Sequence, residues 1–289
     1  MYKKHNRSTI ARTVWQAILE AFRLFRQNDP LRMAAATSFF VSFALPPILY
    51  ILIVILGFLG DPKIIRHDLF KQLSNGFDKN IAWQIRDIVR NMHRLPLNSG
   101  MRLGGFVFLL FVATTLFEII KNSMNQLWKL RLKEHQGIGF ALVNRMRSVG
   151  IILIAGILFS IVLLGDAGSW LLPLQVNTFF YRLIMLLAVI IWFFVILKYL
   201  SYGRPSARIA WAGASFTGLL FFAGHQLLER LLNYDTMELI YGNSTALALL
   251  LLFVFYSSFI FYFGACFTWT LGRRCGRPIL PSRRAETFD

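Results

Sequence analysis

The sequence predicts an all-α, polytopic membrane protein with about six transmembrane helices, an N-terminal amphipathic helix and a helical outer loop. Three observations predict this class. Six apolar stretches are separated by short polar connections, and most reach the roughly 20 residues that a hydrocarbon core of about 30 Å demands. Hydrophobic residues make up 56% of the 289-residue chain and charged residues 16%, against an ordinary charged share of about 25%. The basic residues alternate between successive connections, which excludes an ordinary soluble core and fixes an orientation. The net charge of +17 would point to nucleic acid in a soluble chain, but here it is first accounted for by topology.

Residues 1–32 form a cytoplasmic amphipathic segment. Ile10, Val14, Ala17, Ile18, Ala21, Phe22 and Phe25 recur at helical spacing while Arg12, Arg23 and Arg26 take other directions, and Asn28-Asp29-Pro30 ends the pattern. The expected setting is the inner leaflet, apolar side down. Residues 33–272 form the six-helix membrane domain, with stretches Met33 to Leu59, Leu103 to Leu127, Ser148 to Leu164, Val176 to Leu197, Ile209 to Leu231 and Ser244 to Leu271. The third is short. No cleavable leader is readable, because the first apolar run begins beyond residue 30 without a small-residue cleavage site.

Pro46 and Pro47 lie mid-span and remove two backbone donors, so a kink or an unwound turn is expected there. The outer loop, residues 60–102, carries a second stripe of Phe77, Ile81, Ile85, Ile88, Met92 and Leu95 among Lys79, Arg86, Arg90 and Arg94. Its basic residues run against the topology that the other connections give. Lys129, Arg131, Lys133, Arg145 and Arg147 follow the second span, and Lys198, Arg204 and Arg208 follow the fourth. The connections around Asp166 and around Asp235 and Glu238 hold no Lys or Arg. Both termini are therefore expected in the cytoplasm, with 273–289 a basic cytoplasmic tail. Cys266 and Cys275 fit neither a redox pair nor a metal knuckle and read as isolated thiols.

Polar residues inside spans carry the functional reading, because charge in hydrocarbon costs several kcal/mol unless paired or hydrated. Glu118, Asn122 and Asn125 stand at i, i+4 and i+7 near the inner end of the second span, and Lys121 is in reach of Glu118. The group fits two settings, a polar surface facing a cavity or a helix end emerging among headgroups with Trp128 as its interfacial anchor. His225 and Glu229 form an i, i+4 pair near the outer end of the fifth span, and Arg182 in the fourth can snorkel outward or meet Glu229. Ala210, Ala214 and Gly218 make a ridge that lets another helix approach closely and permits a homo-oligomer.

Asp29-Pro30-Leu31-Arg32-Met33-Ala34-Ala35-Ala36-Thr37-Ser38-Phe39-Phe40 followed by Leu45-Pro46-Pro47, then Ser123-Met124-Asn125-Gln126-Leu127-Trp128, then Tyr241-Gly242 and Phe263-Gly264-Ala265, occur in an order that resembles the YihY/BrkB family of bacterial inner-membrane proteins. Two departures stand out: Cys266 where members commonly carry an acidic residue, and Arg204-Pro205-Ser206-Ala207-Arg208 where they carry Pro-Asn-Arg. Arg208 can still supply cytoplasmic charge there. The family's older label as a tRNA-processing ribonuclease meets no matching constellation, since His5, His67, His93, His135 and His225 are scattered. No enzyme activity, metal, cofactor or nucleic-acid partner is expected. The functional expectation is a protein that moves or organises a lipid or other amphipathic substrate, with anionic headgroups as partners; the alternative is a non-transporting scaffold for proteins or anionic lipid.

Overall fold

Thr245–Arg274 is apolar along nearly its whole length and closes with Arg273 and Arg274 in its last turn, where cations suit the carbonyl end of a helix. In the computed structural model, which describes residues 7–56, 99–133, 178–231, 242–282 and 285–288, this helix is the hub. The described chain is mostly helical: α1 (Arg7–Gln27), α2 (Pro30–Leu56), α3 (Ser99–Leu127), α4 (Thr178–Tyr199), α5 (Ala207–Leu231) and α6 (Thr245–Arg274). Helix α6 packs against α1, α2, α3 and α5; α2 also packs on α3, and α4 on α5. Within α6, Leu247–Arg274 is the one segment among the described residues long and apolar enough to cross a membrane.

Five of the six apolar stretches coincide with α2 to α6 to within a few residues. The third stretch, the outer-loop stripe and the acidic connections around Asp166 and Asp235 lie outside the described residues. Helix α2 is continuous through Pro46 and Pro47, so of the two expectations there, a kink or an unwound turn, the unwound turn is not found. The outward faces carry Phe39 and Phe43 on α2, Leu183, Leu187 and Ile191 on α4, and Leu219 on α5, all exposed. Exposed apolar side chains of this kind suit hydrocarbon as their solvent.

Small residues set the helix spacing, but not along one ridge. Gly213 on α5 faces Thr268 on α6, and Gly264 on α6 faces Thr217 on α5. Each threonine returns its hydroxyl to the carbonyl of the glycine on its own helix, Thr217 to Gly213 at 2.8 Å and Thr268 to Gly264 at 2.7 Å, so no polar group is stranded in the crossing. Gly218 faces the other way, against Ile190 of α4, while Ala210 and Ala214 are fully buried. Phe194 stacks on Trp211 at 4.4 Å between α4 and α5.

Helix α1 departs from expectation in its orientation. Ala17, Ala21 and Phe25 are buried with Val14 and Ile18 packed beside them, Phe25 meeting the rings of Phe259 and Phe263 on α6 at 4.7 and 5.5 Å. The face read as resting on lipid is thus held by protein, because α6 offers it aromatic surface that water would otherwise cover. Phe22 alone of the described stripe is exposed. Asp29, at φ +48°, makes the turn from α1 into α2, a left-handed conformation that Asp tolerates better than most residues.

The tail is folded rather than free. β1 (Leu130–Leu132), directly after α3, pairs antiparallel with β4 (Ala285–Thr287), and β2 (Gly203–Arg204), between α4 and α5, pairs antiparallel with β3 (Leu280–Pro281). Arg131 bonds Glu286 at 2.9 Å across the first pair. The chain end therefore stitches together the loops at one end of the bundle, which also carries Lys129, Arg204, Arg208 and Arg273 at its surface.

Candidate functional site

The last three turns of α3 enter this stitched end with Glu118, Lys121 and Asn125 at i, i+3 and i+7, a spacing that sets all three on one side of the helix. Lys121 is 1% exposed, an unusual position for an ammonium. Its Nζ lies 3.7 Å from Glu118 Oε1, whose side chain keeps 31% of its surface, and 4.5 Å from the centre of the Tyr202 ring. A half-open carboxylate and an aromatic face thus flank the buried cation, both of which offset part of its desolvation.

Asn125 ties the same face to the loop between α4 and α5. Its Oδ1 accepts from Ser201 Oγ at 2.8 Å and from the Tyr202 backbone N–H at 3.0 Å. A backbone N–H can only donate, so the amide orientation is fixed, and Asn125 Nδ2 is buried without an acceptor among the described residues. Tyr202 is consequently held by its backbone to Asn125 and by its ring to Lys121, which makes the loop and the helix end a single unit.

Neighbouring residues make that unit stiff. Trp128 is fully buried and donates through Nε1–H to the Ala265 carbonyl at 2.9 Å, so it anchors α3 to α6 and not to an interface. A side chain on Gly203 would meet the Trp128 ring at 2.6 Å and Ile279 Cγ2 at 2.7 Å, which is why only glycine lets β2 cross there. On the far side of α3, Thr37 and Tyr262 share a buried hydrogen bond at 2.7 Å between α2 and α6. Thr37 already donates to the Met33 carbonyl at 2.9 Å, so the Tyr262 hydroxyl supplies the proton of the pair.

The sequence candidates separate into two places. Glu118, Lys121 and Asn125 come together, and Asn122, one turn beyond Glu118, is exposed. Arg208 is exposed in the first turn of α5. His225 lies roughly five turns further along α5, with Phe221 and Phe253 at 6.4 and 6.1 Å, remote from the basic end. The side chains of Arg182, Glu229, Pro46 and Pro47 fall outside the described residues. Tyr202 and Ser201 were missed, and the signal that could have found them was the short Ser-Tyr-Gly-Arg-Pro connection, too polar to be idle between two apolar helices.

The BrkB virulence factor family model matches residues 21–287. Among curated proteins the chain is 24% identical over 253 residues to a UPF0761 membrane protein of Legionella pneumophila (strain Corby), covering 83% of this chain and 58% of that protein. It is 24% identical over 284 residues to a UPF0761 membrane protein of Chromohalobacter salexigens, covering 94% of this chain and 65% of that one. The chain thus spans about three fifths of the length of the curated relatives it matches. No solved structure matches it.

Proposed function

The chain belongs to the virulence factor BrkB family and is a membrane protein, and from that premise we propose that it handles a lipid or other amphipathic substrate at the Glu118, Lys121 and Asn125 face. In this reading it is a multi-pass protein of the bacterial inner membrane with six spans, both termini are cytoplasmic, and α1 lies at the cytoplasmic surface. The observation that carries the proposal is the burial of Lys121 beside a carboxylate that stays open to the outside. An ionisable residue held inside a membrane helix is costly and marks a working site by default. Lys121 offers a cation to a phosphate, Glu118 exchanges with it as counter-ion, and Tyr202 covers the ammonium when no headgroup does. Neither nucleophile nor metal chemistry enters, so no catalytic role is assigned.

Purified protein in liposomes with headgroup-labelled lipids tests this. Glu118→Gln and Lys121→Met are expected to retain folding and slow lipid movement, whereas equal rates in both variants and the parent would remove the site. Asn125→Ala is a poorer probe, since losing Oδ1 frees the Tyr202 loop. The second reading, a scaffold without transport, is favoured by the strand-stitched basic end, a stiff platform for acidic partners. It predicts no lipid movement by the parent protein under any lipid composition.

A further inference from the structure

Helix α1 has a second apolar line that none of the described residues covers. Trp15, Leu19 and Phe22, at i, i+4 and i+7, are 62%, 46% and 52% exposed. Arg12, three residues before Trp15, and Arg26, four residues after Phe22, extend the same line, and both are exposed, as is Arg23 beside it. The row is about 21 Å long at the helical rise. It is distinct from the buried Ala17, Ala21 and Phe25 face.

The attachment of α1 sets its depth. Thr270 Oγ1 donates to the Ala17 carbonyl at 2.9 Å, and Arg274 bonds both Glu20 and Gln16, so the middle of α1 is fastened to the last turn of α6. That turn closes on Arg273 and Arg274, where an apolar helix leaves hydrocarbon for headgroups. A row that is aromatic and aliphatic in the middle and cationic at both ends matches the boundary between acyl chains and anionic headgroups. We infer that the outward row of α1 (Arg12, Trp15, Leu19, Phe22 and Arg26) is a binding surface for anionic phospholipid of the cytoplasmic leaflet. The inference rests on the cytoplasmic-surface placement of α1 proposed above. A second copy of the chain is disfavoured as occupant, because two-fold pairing along this row sets Arg12 and Arg26 of one copy against Arg26 and Arg12 of the other.

Full-length protein is reconstituted in vesicles of phosphatidylcholine with phosphatidylglycerol, and of phosphatidylcholine alone, with nitroxides on Leu19→Cys or Gln27→Cys in a Cys275→Ser background. The Leu19 label is expected to be reached by oxygen and shielded from a water-soluble nickel chelate, with the Gln27 label open to the chelate. Arg12→Gln and Arg26→Gln are each expected to lower the preference for spin-labelled phosphatidylglycerol over phosphatidylcholine about fivefold. Equal chelate access at both labels, or an unchanged lipid preference in both arginine variants, overturns the inference, as does dipolar broadening between Leu19 labels, which would assign the row to self-association. These readouts do not require lipid movement, so the inference can fail while the transport reading stands, and the reverse.

Discussion

Gly264→Ala adds one methyl group at the point where α5 and α6 touch. The new Cβ would overlap Thr217 Oγ1 and lie 2.8 Å from Thr217 Cβ and 2.9 Å from Thr217 Cγ2, against about 3.5–4.0 Å for relaxed carbon contacts. Thr217 cannot swing aside, because it is β-branched, fully buried and bonded to the Gly213 carbonyl at 2.8 Å. The helices must therefore part by about 1 Å, and that also loosens the matching crossing of Gly213 with Thr268, where the corresponding Cβ contact is 3.0 Å. Overpacking of this kind costs about 1–3 kcal/mol. The helix-propensity gain of alanine over glycine returns about 1 kcal/mol, leaving a net loss of up to about 2 kcal/mol. Reversible unfolding in mixed micelles measures it, with Thr217→Gly as the partner variant because it removes every atom that the new methyl meets. A double variant at least 1 kcal/mol more stable than the sum of the singles is expected, since the sites share one contact. Strict additivity would refute the interlock as the determinant of helix spacing.

Acid is expected to loosen α1 from α6 only well below neutrality. The Arg274 guanidinium, hydrogen-bonded to Glu20, holds that carboxyl below its ordinary value of 4.5, so the pair contributes above that value and the contribution is lost as pH falls through the lowered one. Both side chains are partly exposed, so solvent screens the pair and keeps its contribution small; thermal unfolding should separate the parent from Glu20→Gln at neutral pH and merge them in strong acid. Lys129 sits at φ +50° with its side chain exposed, so Lys129→Gly should be tolerated and Lys129→Val should cost about 1–2 kcal/mol, read from the same unfolding curves. Membrane-impermeant thiol reagents applied from outside should label cysteines placed at Asp166 and Asp235 and leave those at Lys133 and Arg283 unlabelled; the opposite pattern inverts the topology. Purified protein should cleave no RNA with added divalent cations, and a ribonuclease activity that vanishes on Lys121→Met would overturn that expectation.

Apolar length was the legible part of this chain. A stretch such as Val176 to Leu197 has one physical solution in lipid, and α4 takes it. Periodicity was legible too, but not what lies against each face: α1 carries two apolar lines, and the sequence cannot say which of them α6 covers. The fold-back of the tail was illegible because Leu280-Pro281 and Ala285-Glu286-Thr287 are too short to announce themselves as strands; their pairing is dictated by loops distant in the chain. At the site, the i, i+3 reach of Lys121 to Glu118 was readable from spacing alone. The burial of Lys121 was not, since it depends on Tyr202 arriving over the ammonium from a distant loop.

Cys266 sharpens what that buried lysine means. The family that this chain resembles commonly carries an acidic residue at this position on the last span, and here a thiol sits fully buried amid the core of α1, α3 and α6. A carboxylate held so deep would need a cation within reach or would remain protonated. This chain removes that requirement and keeps its one described buried ammonium beside Glu118, on a different helix and at the open margin of the bundle. The buried charge of the described residues is therefore on α3, where Lys121 lies 3.7 Å from Glu118. Along α6, Thr268 returns its hydroxyl to its own backbone, while Tyr262 and Thr270 reach across to α2 and α1. One helix holds the bundle together, and another carries the ion pair, so Glu118→Gln is expected to leave the helix crossings of α6 intact.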